Sequence, residues 1–113
     1  MADLLISEVL DKAADLIEPA GAWGRVLYAT NNQGVSVDAI DPSACRFCAM
    51  GAVYRAADVS SFKGVLSVRP ARVLLAAVVG GSIARWNDAP ERTQAEVVSK
   101  LREAAALARK EGK

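Results

Sequence analysis

The feature that most constrains the fold of this chain is its abundance of alanine. Alanine occupies 22 of the 113 positions and valine 13, whereas phenylalanine, tryptophan and tyrosine together occupy six. Alanine is the best helix former because its side chain loses no conformational entropy in a helix. A chain with so few large side chains builds a core by bringing its elements close together. The composition therefore predicts helices packed through small residues.

Hydrophobic periodicity and end signals predict about four helices in a compact single domain over residues 1–113. The first is expected from about Asp3, its N-cap, to Glu18, and Pro19 and Gly21 end it. A third covers Pro70 to Val79 and ends at Gly80-Gly81. The last begins near Thr93. Thr93 and Glu96 have the spacing of a capping box.

The second helix is predicted from Asp41-Pro42 to about Asp58. Its residues are apolar on nearly every face, which is typical of a buried helix at the centre of a fold. Cys45 and Cys48 would then be small core residues, and Gly51 would let another backbone approach closely.

Between the first two helices, two β-prone runs at 23–29 and 35–37 flank a polar turn at 30–34. This pattern predicts one small β-hairpin lying against the helices. The fold class is therefore mainly α with one hairpin. The structure of residues 59–69 is left open.

The chain contains no histidine, which excludes the catalytic and metal sites that depend on it. The cysteines form a single C-x-x-C with no second pair for a zinc ribbon and no surrounding βαβ pattern. General acid–base work would require a carboxylate, Lys, Tyr or Cys with a shifted pKa. We predict no catalytic residue, no metal ligand and no cofactor. These predictions favour a protein that is not an enzyme, without excluding one.

The net charge of +1 conceals an uneven distribution. Residues 1–42 sum to −5, residues 43–86 to +5 and residues 87–113 to +1. One interpretation is that the acidic first third covers the basic middle. The alternative is a basic face for nucleic acid, which is not favoured because the domain is not strongly basic and no known module matches. The candidate basic residues are Arg46, Arg55, Arg69, Arg72 and Arg85.

Trp86, Asn87, Asp88 and Arg92 form the most polar and aromatic cluster, in a segment that reads as a loop or a helical turn. As a binding loop, Trp86 would anchor a ligand, Asn87 and Asp88 would hydrogen-bond to it, and Arg92 would supply charge. As a structural element, Trp86 would fill the core while the polar residues satisfy turn and helix-start amides.

Three segments, 48–52, 83–88 and 92–97, together resemble a family of small uncharacterised bacterial and phage proteins. They read CAMGA, IARWND and RTQAEV. The resemblance implies a domain of unknown function and supplies no activity. Because the family includes phage proteins, the resemblance also implies that this chain could be associated with a phage.

No apolar stretch reaches the length of a membrane span, and the N-terminus lacks the basic region of a signal peptide. We expect a cytoplasmic protein without a membrane partner. The function that these patterns favour is a non-enzymatic protein-interaction or regulatory module, with a homodimer through residues 70–79 as one form. The alternatives are nucleic-acid binding through the Arg-rich middle, and a small ligand-binding or enzymatic domain centred on Trp86–Asp88.

Overall fold

The computed structural model of the protein describes residues 4–113. Within this range the chain forms five α-helices and one antiparallel pair of short strands, which confirms the mainly α class with a small β element. In chain order the elements are α1 (Ile6–Ile17), β1 (Ala29–Thr30), β2 (Arg46–Phe47), α2 (Ala49–Ala57), α3 (Arg69–Val79), α4 (Ile83–Asp88) and α5 (Gln94–Lys110).

The two outer helices follow the sequence patterns closely. The expected N-cap Asp3 lies outside the described residues; α1 begins after Leu5, whose backbone N–H donates to the Glu8 carboxylate at 2.8 Å. At the start of α5 the capping box is confirmed, with Thr93 and Glu96 bonded to each other's backbone N–H. The two helices pack against each other, and α1 also packs against α2.

Alanine lies at the contact faces of these helices, as the composition predicted. Small side chains allow close packing without voids, and the dense core that results excludes water. The fully buried alanines of the helices include Ala13, Ala14, Ala49, Ala52, Ala104, Ala105 and Ala108.

An ion cluster joins α1 to α5 across their exposed edge. The Arg102 guanidinium donates to Asp11, Asp15 and Glu18, at 3.1, 2.5 and 3.0 Å. Hydrogen bonding to Asp15 is the largest of the effects that raise the pKa of Arg102. Arg109 also pairs with Asp11. The acidic face of α1 is therefore neutralised by α5 rather than by the basic middle of the chain.

The predicted start of the second helix is wrong. The Asp41 carboxylate accepts from Ser43 N at 2.8 Å, and this interaction closes a turn instead of starting a helix. The backbone N–H groups of Cys45 and Cys48 donate to the carbonyls of Thr30 and Tyr28. This chain pairing takes residues 46–47 into β2, so α2 begins eight residues later than Asp41, at Ala49.

The β element is a reduced form of the expected hairpin. The polar turn is present, with Asn31 N donating to Val35 O at 3.0 Å and Thr30 bridging to Ser36. The regular strand partner of β1, however, is β2 rather than residues 35–37. The neighbouring strand was not apparent from the sequence because the second helix was predicted to begin at Asp41-Pro42 and therefore to include residues 46–47.

Helix α2 is buried on nearly every side, as predicted. A Cβ atom built on Gly51 would lie 1.7 Å from the carbonyl oxygen of Tyr28. This position therefore requires glycine, and the expected close backbone approach is confirmed. The approach fixes the loop 24–28 against the first turn of α2.

The segment before α3, left open above, consists of successive turns. The carboxylate of Asp38 accepts from Ser61 N at 2.9 Å and from the Ser60 hydroxyl, which ties residues 59–61 to the loop before Asp41. Helix α3 then buries Ala71, Leu74 and Leu75, and Gly80 ends it in the left-handed conformation.

Within residues 4–113, no helix is both long enough and apolar enough to cross a bilayer.

Candidate functional site

Asn87 is the centre of the cluster singled out in the sequence. It lies on α4 and is 1% exposed. Its Oδ1 accepts from Trp23 Nε1 at 2.9 Å and from Ala49 N at 3.0 Å. Its Nδ2 donates to Gly24 O at 3.1 Å and to Asp88 Oδ1 at 2.9 Å. Asn87 therefore joins the loop at 23–24, the start of α2 and α4, and both ends of its amide are occupied.

Trp86 and Arg92 lie together beside this centre. The Arg92 guanidinium is 4.3 Å from the centroid of the Trp86 ring, and its Nε donates to Trp86 O at 2.9 Å. Arg92 also reaches Glu96 at 3.3 Å. The stacking and the hydrogen bond attach the end of α4 to the start of α5.

A second stacked pair lies on the other side of Asn87. The Arg25 guanidinium is 4.6 Å from the centroid of the Trp23 ring. It donates to the carbonyl of Arg92 at 2.8 Å, with longer bonds to Ala89 and Pro90. Arg25 therefore connects the loop at 23–25 to residues 89–92 and satisfies the carbonyls of Ala89, Pro90 and Arg92 within the protein.

Asp88 holds a strained segment. Its Oδ1 accepts from Val26 N at 2.9 Å as well as from Asn87. Val26 has a φ of 73°, a conformation that is a true outlier for a β-branched residue. The Val26 side chain is nevertheless 78% exposed. No burial of Val26 compensates for the strain; the turn is held by a bond from Leu27 N to Arg25 O at 2.8 Å together with the bond to Asp88.

The structure thus brings Trp86, Asn87, Asp88 and Arg92 together, on a short helix and the turn after it rather than on an open loop. The side chains of Asn87 and Arg92 are engaged by neighbouring residues. The carboxylate of Asp88 keeps an unengaged oxygen, since Oδ2 accepts no hydrogen bond from residues 4–113. The carboxylate of Asp88 is therefore the charged group of the cluster that retains a free acceptor for a ligand.

The two cysteines do not occupy the helical core positions that the sequence indicated. Cys45 is exposed and Cys48 is half-buried. Cys48 is the N-cap of α2, and its Sγ accepts from Gly51 N at 3.3 Å. Burial raises the pKa of the Cys48 thiol, so the group is protonated at neutral pH. A protonated thiol is a poor nucleophile.

The five candidate basic residues do not share one environment. Arg55 donates to the carbonyls of Ala39 and Asp41 at 3.0 and 2.8 Å, and Arg46 donates to Gly21 O at 3.0 Å. Arg69, Arg72 and Arg85 are exposed. Arg69, Arg72 and Arg85 lie in a stretch of sequence that contains no acidic residue between Asp58 and Asp88.

An apolar surface accompanies these arginines. Val68 N donates to Gly64 O and Arg72 N to Val68 O, so the turn before α3 continues into the helix with helical spacing. One side of this turn and helix is exposed along its length. It carries Leu66, Arg69, Val73 and Ala77. We call these four residues the α3 outer face. Leu66 is 79% and Val73 55% exposed.

Next to this face lies a pocket with a volume of about 360 Å³. Arg72 and Ala76 of α3 form one wall, and Tyr28, Met50 and Ile83 supply apolar surface. Asp88, Cys48 and the strained Val26 also line it. The Tyr28 ring is held by Tyr54 in an edge-to-face contact with centroids 5.3 Å apart.

Sequence reasoning did not find Trp23, Arg25, Val26 and Tyr28 as parts of this site. The sequence did indicate that Trp23 needs a partner, because a buried indole N–H requires an acceptor. Its acceptor lies 64 residues away on Asn87, a distance that no local pattern reveals. Val26 carried no signal, since left-handed backbone favours Gly, Asn and Asp.

Comparison with protein families gives one finding for this chain. A family model described as a family of unknown function (DUF6197) matches residues 1–107. The match confirms the expected resemblance to a domain of unknown function. The comparisons with curated proteins and with solved structures found no match.

Proposed function

The chain belongs to the DUF6197 family, whose function is unknown, and we propose that it is a protein-interaction module that docks a partner on the α3 outer face. The observation that carries this proposal is the exposure of large aliphatic side chains at helical spacing in a stretch without acidic residues. A regulatory role would follow from the binding of such a partner.

Exposed aliphatic side chains at one face favour a macromolecular contact. Leu66 and Val73 present most of their surface to solvent, and Phe62 in the preceding turn is 65% exposed. Covering a large aliphatic side chain contributes about 1.5–3 kcal/mol. Contiguous exposed apolar surface is typical of an interaction site, whereas single exposed residues are ordinary.

The charges around the face indicate the chemistry of the partner. Arg69 lies within the α3 outer face, Arg72 lies beside it and Lys63 precedes it. Arginine pairs with carboxylates through a planar fork of donors. The partner that fits is a protein surface presenting aliphatic side chains together with Asp or Glu. Charge complementarity of this kind also raises the rate of association.

A second copy of the chain fits this surface less well. In a symmetric dimer the same face meets itself across the two-fold axis. Arg69 and Arg72 would then approach their own copies without an acidic residue nearby in sequence. Nucleic acid is also less suited, because the apolar side chains between the arginines have no counterpart on a phosphate backbone.

A larger groove on the opposite side of α3 carries less information about a partner. Its volume is about 980 Å³, and α1, α2 and the start of α3 line it. The charged residues at this groove are Lys12, Arg55 and Asp58, which include both signs. It therefore shows no charge preference comparable to that of the α3 outer face.

Site-specific photocross-linking tests the proposal. A photoreactive amino acid replaces Leu66 or Val73 in the full chain, in cells that naturally make the protein, and irradiation traps what lies against it. The matched control places the same group at Asn32, an exposed position on the β-turn. We expect an adduct from positions 66 and 73, absent at position 32, with one protein whose cross-linked surface is aliphatic and acidic.

Three other outcomes would each overturn the proposal. An adduct of twice the mass of the chain would identify a second copy as the occupant. An adduct that nuclease removes would identify nucleic acid. Equal labelling at positions 32, 66 and 73 would show that the α3 outer face has no preferred partner.

A further inference from the structure

We propose that the pocket between α3, α4 and the loop 26–28 binds a small amphipathic zwitterion, with its ammonium group on Asp88, its carboxylate on Arg72 and its apolar body between them. This site is separate from the α3 outer face, although Arg72 lies next to both. Its ligand is a small molecule, not a protein.

The size and lining of the pocket are those of a small-molecule site. A volume of about 360 Å³ falls in the range of about 300–1,000 Å³ that such sites occupy. Met50, Ile83 and Ala76 provide an apolar wall, and Tyr28 provides an aromatic one. A largely apolar pocket with a few polar groups at fixed positions is the usual arrangement for orienting a small ligand.

Asp88 is the fixed polar group of the pocket. Two hydrogen bonds, from Val26 N and Asn87 Nδ2, converge on its Oδ1 and hold the carboxylate in one direction. Asn87 is itself fixed by Trp23, Gly24 and Ala49. Oδ2 receives no hydrogen bond from the described residues and is free to accept from a ligand. A carboxylate fixed in this way is prepared for an ammonium group before the ligand arrives.

Arg72 sets the charge at the opposite wall. It projects from α3, is exposed, and no carboxylate pairs with it within residues 4–113. Asp88 and Arg72 are the two charged residues that line the pocket. A ligand with a single charge would satisfy one of them and approach a like charge at the other. A zwitterion satisfies both.

The backbone of Val26 supports the same assignment. Its left-handed conformation costs of the order of 1–3 kcal/mol, and strain of this kind is concentrated at ligand-binding and active sites. Here the strained residue lines the pocket and donates to the carboxylate assigned to the ligand. The strained residue therefore lies at the rim of the pocket, hydrogen-bonded to Asp88.

Three probes that share a benzyl body test the charge pattern. Benzylamine carries the cation, phenylacetate the anion, and 4-(aminomethyl)phenylacetate both. Each is titrated into the isotope-labelled full chain while amide resonances are recorded by NMR. We expect the zwitterion to bind tightest, with shifts centred on Val26, Tyr28 and Ala84.

Three variants and one control assign the contacts. Asp88→Asn keeps the Oδ1 acceptor and removes the charge, so the zwitterion should lose at least about tenfold in affinity, which equals about 1.4 kcal/mol. Arg72→Gln should weaken the zwitterion and phenylacetate but not benzylamine. Ala76→Leu fills the pocket and should abolish all binding. Arg85→Gln, an exposed arginine outside the pocket, should change nothing.

The proposal is overturned if none of the three probes moves the pocket resonances at millimolar concentration. It is equally overturned if the Asp88→Asn variant binds the zwitterion as tightly as the unaltered chain, or if a singly charged probe binds tightest. Because photocross-linking at Leu66 and Val73 does not depend on the pocket, this proposal and the protein-docking proposal can fail separately.

Discussion

At the scale of single residues, Asn87 shows how a polar residue within an apolar core can determine the local architecture. A buried amide is tolerated when its donors and acceptor are satisfied. Asn87 meets this condition through partners on two segments that are distant in sequence, the loop at 23–24 and the start of α2. A structural role therefore explains all the contacts of Asn87. The residue proposed to bind a ligand is its neighbour Asp88.

Replacing Asn87 with alanine should destabilise the protein strongly. The change removes the acceptor of Trp23 Nε1 and of Ala49 N and the donor to Gly24 O. Each buried group left without a partner costs about 1–3 kcal/mol. We expect a loss of about 3 kcal/mol in the free energy of unfolding, measured by urea denaturation. Asn32→Ala, at an exposed turn position, should stay within about 0.5 kcal/mol, and similar losses for both variants would contradict the account.

Replacing Gly51 with alanine tests the close approach of the loop to α2, because the sign of the change in the free energy of unfolding decides the outcome. In an unhindered helix, Gly→Ala stabilises by about 1 kcal/mol because alanine has the higher helix propensity. Here the new Cβ would meet the Tyr28 carbonyl, so we expect Gly51→Ala to lower the free energy of unfolding by several kcal/mol. Thermal denaturation would measure it. A rise in the melting temperature would show that the loop and α2 do not approach as closely as described.

At the scale of elements, the sequence predicted what local interactions determine. The α5 capping box depends on residues three apart, and α3 ends at a glycine, so both could be read directly. The start of α2 could not be read. The donors of Cys45 and Cys48 are taken by Thr30 and Tyr28, at least 15 residues earlier in the chain. The same holds for the candidate site. The sequence predicted its α4 residues but not the loop residues that complete the pocket.

The capping box predicts the effect of a single hydroxyl on α5. Thr93→Ala removes the acceptor of Glu96 N and should cost about 1 kcal/mol. Ser99→Ala lies at an exposed position within the same helix and should stabilise slightly through helix propensity. Chemical denaturation of both variants provides the comparison. Equal effects at the two positions would show that the cap contributes nothing beyond propensity.

Asp38 links the loop at 38–41 to the turn at 60–61 and makes stability depend on pH. Hydrogen bonding from Ser60 is the largest cause that lowers the pKa of Asp38, to about 2. Because the folded-state pKa is depressed, the contribution is present above the unfolded pKa of about 4 and is lost as pH falls towards 2. The pKa values of Asp41 and Glu96 are lowered too, so the comparison requires a variant.

Asp38→Asn isolates this contribution. The asparagine keeps an acceptor for Ser61 N and removes the charge. At pH 7 the variant should be less stable than the unaltered chain, and the difference should shrink as the pH is lowered from 4 to 2. Urea midpoints at several pH values measure it. A difference that stays constant across this range would contradict the account.

At the scale of the whole molecule, the uneven charge resolves into two surfaces. The acids of α1 pair with Arg102 and Arg109 of α5, so they do not cover the basic middle of the chain. Two exposed arginines of that middle, Arg69 and Arg72, lie with the uncovered Leu66 and Val73 on and beside the α3 outer face. The docking surface proposed for an acidic, aliphatic protein partner consists of these arginines and aliphatic residues together.

The most direct test combines cross-linking with charge reversal. A photoreactive group at position 73 is compared in the unaltered chain, in Arg69→Glu and in Lys110→Glu, which changes the net charge equally on the exposed end of α5. We expect Arg69→Glu to reduce the yield of the partner adduct at least about tenfold, whereas Lys110→Glu leaves it unchanged. An adduct of equal yield in all three chains would contradict the claim that the arginines of α3 select the partner.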